Sequence, residues 1–527
     1  MKNKKICIII CTLTIVATIL PVAGAVMNNL KPCPPLIQIE WEATYGGELI
    51  DWGNCIQQTS DGGYIISGTY FRNAWSLWYS YFYLLKIDAN GNEEWNQTYG
   101  LYDSEHVAKC IQQTSDGGYI VAGYQGVTYM YDAIVQKTDD LGNIIWSATF
   151  GDPNEYDNAQ SVQQTTDGGY IITGFTNSYD AELGDALLIK LDASGSTQWI
   201  QTLGGSDSDA GYCVQQTSDG GYIIAGETSS YTDSGDVYLV KTDSSGNEQW
   251  HKTFGGNEWD GAYCVDQTTD GGYIISGYYG YEDWTNDVYL IKTDSAGNEQ
   301  WTKYFGGTDL DEGYCVQQTS DGGYFITGYS ADPVNYDPDV YLIKTDATGT
   351  MQWNQIIDDN STEDYGYYGI ETTDDEYIIA GYTGFNMQEA VDVWVIKLSS
   401  GNEEPNAPTI AGPANGKTGI EYDYTFTATD PDGDNLYYYV CWGESCGCGE
   451  WVGPYASGEE VVFSHSWSKK GTYEITAKVK DTIDIESNWT TFEVSMPRNK
   501  LAYIFVLQLL FERFSNAFQI LKYLSGL

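Results

Sequence analysis

The chain is poor in histidine and in basic residues. It has three histidines and 24 lysines and arginines against 74 aspartates and glutamates, for a net charge of −50 over 527 residues. A surface of this sign repels nucleic acid and anionic membranes and attracts cations. His106, His251 and His465 neither recur nor stand in a catalytic spacing, so each is interpreted as structural. The glycine pairs lie in β-turns with no helix behind them, which excludes a phosphate-binding loop.

Two series of residues repeat along the chain at the same interval. An aspartate in a D-G-G turn, or a decayed form of it, recurs every 51 to 55 residues at Asp61, Asp116, Asp167, Asp219, Asp270, Asp321 and Asp374. A tryptophan in the pattern W-x-x-T-[YFL]-G, or a decayed form of it, keeps the same interval at Trp41, Trp95, Trp146, Trp199, Trp250, Trp301 and Trp353. A period near 50 residues that holds several short strands is typical of a β-propeller blade.

The units predict an all-β, seven-bladed β-propeller over residues 37–402. Each unit has an apolar strand before the D-G-G turn, a returning strand, a third strand that ends in Lys, and a fourth that carries the Trp. The chain enters on a strand of the fourth type, with Trp41, whereas the seventh unit stops after its third strand at Lys397. We therefore expect the N-terminal strand to complete the seventh blade.

One motif resembles that of a known family. The run D-x-x-G-[NST]-x-x-W, as in Asp88 to Trp95 and Asp294 to Trp301, resembles the tryptophan-docking motif of quinoprotein (PQQ-like) propellers. The adjacent cysteine pair of the cofactor-dependent dehydrogenases in that family is missing. The phrase D-G-G-Y-I-I-x-G is similar to repeats of large secreted bacterial and archaeal propeller proteins. These resemblances imply the fold and leave the function open.

The sequence predicts that both ends of the chain lie outside the folded domains. Residues 1–25 combine three lysines, an apolar stretch and the small-residue site Ala23-Gly24-Ala25, which predicts a signal peptide. The alternative is a retained membrane anchor. Residues 498–527 show an apolar periodicity that favours an amphipathic helix. This tail is interpreted as a sorting or membrane-interface segment, with docking on the preceding domain as the alternative.

Residues 405–497 predict a second all-β domain. Five strand candidates are enough for a small β-sandwich. Trp442-Gly443-Glu444, His465-Ser-Trp467 and the run from Gly471 to Asp481 resemble the PKD/Ig-like domains of surface proteins. Cys441, Cys446 and Cys448 stand close together, and one disulfide among them is expected in an exported protein.

Five other cysteines share one repeat position. Cys55, Cys110, Cys213, Cys264 and Cys315 occupy the place that the remaining units give to Ser161 and Gly369, so all seven residues would be small. We interpret the position as a crowded spot near the axis that holds buried thiols. Disulfides or metal ligands are the alternatives.

Two carboxylate series predict a candidate calcium site. One precedes the cysteine position by four residues, and the other precedes the third-strand Lys by five; both fall on connections at the end opposite the D-G-G turns. The candidate metal ligands from these series are Asp209, Asp236, Asp260 and Asp287. The alternative is that these aspartates cap strands. Asp430, Asp432 and Asp434 form a second candidate, with a solvated turn as the alternative.

The sequence therefore favours a non-catalytic, exported or cell-surface protein that recognises a protein or a glycan. Aromatic residues in the loops between the second and third strands are candidate ligand contacts: Trp75, Trp78, Tyr79, Tyr279 and Trp284. Calcium is the only cofactor expected, and nucleic acid is not an expected partner. The tail could add a membrane or surface-layer contact. The rival hypothesis is an extracellular propeller enzyme, either a quinone-dependent dehydrogenase or a glycan-cleaving enzyme.

Overall fold

The described part of the chain is all-β. The computed structural model describes residues 37–496 except 48–49, 72–79, 128–129, 180, 182, 233, 282–284, 332–336, 359–362, 385–390, 401–403, 432, 444–449 and 483. None of the described residues lies in a helix, and accordingly none of them forms a helix able to span a membrane. The predicted signal peptide and the predicted amphipathic tail lie outside the described residues.

Strands 1 to 17 begin the repeat. The chain starts with β1 (Ile37–Tyr45). The first antiparallel sheet is β2 (Asp51–Gln58), β3 (Tyr64–Phe71), β4 (Ser80–Ile87) and β5 (Glu93–Tyr99). The second is β6 (Glu105–Gln113), β7 (Tyr119–Val127), β8 (Met130–Thr138) and β9 (Ile144–Phe150). The third is β10 (Asp157–Gln164), β11 (Tyr170–Thr176), β12 (Asp185–Leu191) and β13 (Thr197–Leu203). The fourth is β14 (Asp209–Gln216), β15 (Tyr222–Thr228), β16 (Asp236–Thr242) and β17 (Glu248–Phe254).

The next three sheets complete the repeat. The fifth is β18 (Asp260–Gln267), β19 (Tyr273–Gly280), β20 (Asn286–Thr293) and β21 (Glu299–Phe305). The sixth is β22 (Leu310–Gln318), β23 (Tyr324–Ala331), β24 (Pro338–Thr345) and β25 (Met351–Ile357), joined to the fifth by one parallel pairing, Asn286 with Leu310. The seventh is β26 (Asp364–Glu371), β27 (Tyr377–Gly384) and β28 (Val391–Ser400), with β1 as its fourth strand.

The pairing of β1 confirms that the N-terminal strand completes the seventh sheet. It runs antiparallel to β28 from Ile37 opposite Ser400 to Tyr45 opposite Val393. A hydrophobic core fills each interface between consecutive sheets, and another joins the seventh sheet to the first, where Ile378 and Val393 pack with Ile66 and Leu85. The seven sheets therefore contact one another in cyclic order.

Each of the two positions in a D-G-G turn requires glycine for a different reason. Gly62 has a φ of +86°, a conformation that disfavours L side chains. A Cβ on Gly63 would lie 2.6 Å from the Nζ of Lys86 and 2.4 Å from a backbone oxygen of β4. Lys86 is buried and pairs with the turn carboxylate of Asp61 at 3.1 Å. The other sheets repeat this ion pair: Lys137–Asp116, Lys190–Asp167, Lys241–Asp219, Lys292–Asp270, Lys344–Asp321 and Lys397–Asp374.

The repeated tryptophans dock on the glycine of the next sheet. A Cβ added to Gly91 would lie 2.9 Å from the ring of Trp41, and one added to Gly297 would lie 2.6 Å from the ring of Trp250. Glycine is required at these turns because any side chain would displace the indole. The motif D-x-x-G-x-x-x-W thus joins consecutive sheets, and Trp41 makes the same contact from the seventh sheet to the first.

A chain of hydrogen bonds follows the Q-Q-T phrase around the sheets. The second residue of the Q-Q pair accepts a hydrogen bond from a turn amide of the preceding sheet at every junction. The donor–acceptor pairs are Ser60–Gln113, Ser115–Gln164, Thr166–Gln216, Ser218–Gln267, Thr269–Gln318, Ser320–Glu371 and Thr373–Gln58. The last pair links the seventh sheet to the first. We call this set the glutamine girdle.

The C-terminal strands form two sheets around a separate core. One contains β29 (Thr409–Ala411), β30 (Tyr422–Thr427) and β33 (Glu460–His465); the other contains β31 (Leu436–Cys441), β32 (Val452–Tyr455), β34 (Gly471–Lys480) and β35 (Thr490–Met496). Trp467 is fully buried, and its indole N–H donates to the carbonyl of Trp442 at 3.0 Å. Cys441 is disulfide-bonded, in agreement with the expected bridge, and its partner lies outside the described residues.

Removal of β1 should destabilise the repeat. Deleting residues 37–45 exposes the edge of β28 and removes the docking of Trp41, so we expect the melting temperature to fall by about 5 °C or more in calorimetry. Deletion of residues 26–35, which leaves β1 intact, is the control. A β1 deletion that melts like the parent contradicts the role given to this strand.

Candidate functional site

The first strand of every sheet carries a β-bulge at the same position. The register skips one residue between, for example, Gly53 and Cys55 in β2 and between Ala262 and Cys264 in β18. A bulged residue leaves the ladder, and its side chain is redirected. The seven bulged residues are Asn54, Lys109, Gln160, Tyr212, Tyr263, Tyr314 and Tyr367. All seven line one cavity of about 340 Å³, which we call the bulge-ring cavity.

Four tyrosines form one wall of this cavity. The ring centroids of Tyr212 and Tyr263 are 5.8 Å apart, those of Tyr263 and Tyr314 4.8 Å, and those of Tyr314 and Tyr367 5.1 Å. Burial raises the pKa of all four phenols, so they stay protonated at neutral pH. The hydroxyl of Tyr263 donates to the carboxylate of Glu312 at 3.0 Å. This wall is an aromatic surface whose hydroxyls are anchored.

The remaining bulged residues make the opposite wall polar. The ammonium of Lys109 makes no hydrogen bond or ion pair with any residue that the structure describes. Burial lowers its pKa, and the negative charge of Glu105 partly offsets that effect. The amide of Asn54 donates to the carbonyl of Ala108 at 2.7 Å. Lys109 is the one basic side chain among the residues that line the cavity.

The residues that follow the bulges separate this cavity from a second one. They are Cys55, Cys110, Ser161, Cys213, Cys264, Cys315 and Tyr368. The prediction that Gly369 holds this place is wrong, because Tyr368 lies opposite Ala380 just as Cys213 lies opposite Ala225. The seventh position is therefore large, and Tyr368 occupies space that six small side chains leave. The second cavity, of about 390 Å³, lies on the glutamine side of this partition.

The five cysteines of the partition are free thiols, as interpreted from the sequence. The sulfurs of Cys55 and Cys110 are 4.0 Å apart, as are those of Cys213 and Cys264. The contact with the thiol of Cys264 and burial raise the pKa of Cys213, which lowers the fraction of reactive thiolate at neutral pH.

Alkylation should report on these thiols. In denaturant we expect iodoacetamide to modify all five; in the native protein the half-buried Cys110 and Cys213 should react faster than the buried Cys55, Cys264 and Cys315. Peptide mass spectrometry measures both results, with the unfolded protein as the control for intrinsic reactivity. A peptide in which Cys213 is linked to Cys264 contradicts the prediction.

Most of the predicted ligand contacts lie outside the described residues: Trp75, Trp78, Tyr79 and Trp284. Tyr279 is described and belongs to a tyrosine cluster, with ring centroids 5.2 Å from Tyr281 and 4.9 Å from Tyr304. It does not line the bulge-ring cavity. Its role in ligand binding stays a prediction.

The structure brings the two carboxylate series together at the junctions between sheets. A Cβ on Gly255 would lie 2.4 Å from an oxygen of Asp236 and 2.5 Å from one of Asp260. Of the other candidates, Asp209 lies beside Asp185, and Asp287 lies beside Asp311. Further junctions pair Asp51 with Asp392, Asp132 with Asp157, and Asp339 with Asp364.

The two members of a pair differ in their hydrogen bonds. The first-strand aspartate caps the loop before it, since Asp209 accepts from Gly205 N at 2.8 Å and Asp260 accepts from Gly256 N at 2.6 Å. The capping alternative therefore applies to these residues. The third-strand aspartates keep a buried Oδ1 that has no hydrogen-bond partner among the described residues: Asp132, Asp236, Asp287 and Asp392.

The loop at residues 430–434 is a turn closed by its own aspartate. Asp430 is buried, and its carboxylate accepts from the amide of Asp434 at 3.2 Å. Asp434 also accepts from the hydroxyl of Thr482 at 3.4 Å. Asp432 lies outside the described residues. The calcium hypothesis for this loop stays a prediction.

The three histidines have structural surroundings. Burial lowers the pKa of His106 to about 4, and its Nε2 accepts from the amide of Leu101 at 3.0 Å. His251 stacks on Tyr231 with a centroid distance of 4.4 Å, and His465 stacks on Trp442 at 4.7 Å. None of the three lines the bulge-ring cavity.

Comparison with known proteins gives one local similarity. No protein-family model matches the chain, and no curated protein matches it. Among solved structures, the chain is similar to the PKD domain of an M14-like peptidase from Thermoplasmatales archaeon SCGC AB-540-F20. The identity is 57%, the match covers 18% of this chain and 99% of that domain, and the TM-score is 0.18.

Proposed function

We propose that the seven repeated sheets are the blades of a β-propeller and that the protein is a non-catalytic, exported binding protein. The propeller is supported by the cyclic order of the sheet contacts and by a cavity that the first strands of all seven sheets line together. The observation that carries the binding function is the ring of bulged side chains in that cavity. A cavity of about 340 Å³ with aromatic walls and a few polar groups is typical of a small-ligand site.

The chemistry of the walls defines the ligand. The arc from Tyr212 to Tyr367 presents aromatic faces and edges to a flat, partly apolar surface such as the face of a pyranose ring. Across the cavity, the ammonium of Lys109 suits a carboxylate, and Gln160 and Asn54 suit hydroxyl groups. The ligand class that combines these features is an acidic sugar residue, either free or at the end of a glycan.

The remaining domains fit a role outside the cell. The predicted signal peptide provides for export, and the net charge of −50 favours solubility in a cation-rich medium. We propose that the PKD-like sandwich and the amphipathic tail link the propeller to the cell surface. A surface glycan or protein is then the partner.

Calorimetric titration tests the proposed ligand. Glucuronic acid oligosaccharides should bind, and the matching neutral glucose oligosaccharides should bind more weakly, because only the former offer Lys109 a carboxylate. Lys109→Met should weaken the acidic ligand about tenfold or more, since a charge-assisted hydrogen bond contributes about 1.5–3 kcal/mol.

The controls separate the cavity from the rest of the protein. Lys252→Met removes a half-buried lysine that does not line the cavity, and it should leave binding unchanged. Tyr263→Ser should weaken both ligands because it opens the aromatic arc. Equal binding by the parent and both cavity variants contradicts the proposal, and release of shortened oligosaccharides favours the rival enzyme hypothesis.

A further inference from the structure

The junction between the fourth and fifth sheets encloses two carboxylates. Asp236 is 6% exposed, and its carboxylate Oδ1 is fully buried and accepts no hydrogen bond from any described residue. Asp260 is completely buried, and its Oδ2 faces the same point beside Gly255 within 2.5 Å. A buried, unpartnered oxygen is thus directed at a second carboxylate.

Among the residues that the structure describes, no basic side chain compensates the charge of Asp236. Burial and, to a smaller extent, the negative charge of Asp260 raise the pKa of Asp236 to about 6; no cation acts in the opposite direction. Two carboxylates held this close repel each other unless a proton or a metal ion lies between them. The Oδ1 of Asp236 accepts no hydrogen bond from the described residues, so it is available as a ligand for a metal ion.

The same pair of carboxylates recurs at other junctions between sheets, and one junction has different residues in its place. Asp51 is fully buried, its Oδ1 has no hydrogen-bond partner among the described residues, and it faces Asp392 across Gly46. At the junction of the sixth and seventh sheets, Asp358 takes the place of the glycine, and its carboxylate lies within 4.8 Å of those of Asp339 and Asp364.

The junction between the first and second sheets is different. Tyr81 and His106 stand in the two aspartate positions, and both rings lie against Gly100. Neither of the two positions at this junction therefore carries a carboxylate. An uncharged pair at this junction shows that the fold itself does not require aspartate there.

We propose that the paired aspartates at the junctions between sheets are calcium sites, in which one ion bridges the first-strand carboxylate of one sheet and the third-strand carboxylate of the preceding sheet. Calcium accepts carboxylate ligands in irregular arrangements and completes its shell with water. Asp287 and Asp392 are only half-buried, so water reaches these junctions. Each ion joins two sheets, and the Tyr81–His106 junction has no site.

Binding of calcium alone to the chelator-treated full-length protein tests the proposal. Isothermal titration in 0.15 M NaCl should show several sites per chain, and calcium should raise the melting temperature. Asp236→Asn should reduce the number of sites by one, and Asp392→Asn should do the same at a separate junction. Asparagine preserves the size of the side chain, and the Oδ1 of Asp236 accepts no hydrogen bond from a described residue that the change would break.

Glu299→Gln is the matched control, since it removes an exposed carboxylate of the fifth sheet and should leave the stoichiometry unchanged. Terbium, read by emission excited through tyrosine, gives a second count of the sites. A protein that binds no calcium overturns the proposal, as does an unchanged stoichiometry in both asparagine variants. A melting temperature that responds to pH but not to chelator indicates a shared proton instead, and also counts against it.

Discussion

The hydrogen bond from a turn amide to a glutamine of the next sheet is the contact on which the rest of the structure depends. It joins a turn, which fixes where two strands reverse, to the strand that begins the following sheet. Serine or threonine supplies the amide at every junction. Glutamine is the neutral acceptor at six junctions, and Glu371 is the acceptor at the seventh. Because the bond recurs between Thr373 and Gln58 at 2.9 Å, the seventh sheet is held to the first in the same way as any other neighbours.

The other contacts between sheets act in parallel with this bond. Six of the seven fourth-strand tryptophans rest on a glycine turn of the next sheet, whereas Trp353 packs on Tyr377. Each interface also has an apolar core. These contacts set the distance at which the first strands face each other. That distance allows one bulged side chain per sheet to enter a shared cavity, and it brings Asp236 within reach of Asp260. The bulge-ring cavity and the carboxylate pairs are both consequences of how neighbouring sheets are spaced.

The sequence predicts those features that repeat without change. The four strands of each unit, the pairing of β1 with β28, and the location of both aspartate series at one end follow from spacing and alternation. The bulge ring could not be found this way, because its members change from Asn54 and Lys109 to Tyr263 and Tyr314. The spacing does give Tyr368 the cysteine position, since it stands six residues before Asp374 just as Cys213 stands six before Asp219. The prediction of Gly369 was therefore an error of alignment by one residue. Pairing of the aspartates is a contact between sheets and has no local signal.

The cyclic arrangement is tested most directly by comparing two glutamines of the girdle. Gln58→Ala removes the acceptor between the seventh and first sheets, and Gln216→Ala removes the equivalent acceptor between the third and fourth. If all seven sheets form one closed ring, both variants should lose a similar amount of stability, about 1 kcal/mol each, in denaturant unfolding. A loss for Gln216→Ala with none for Gln58→Ala would contradict closure.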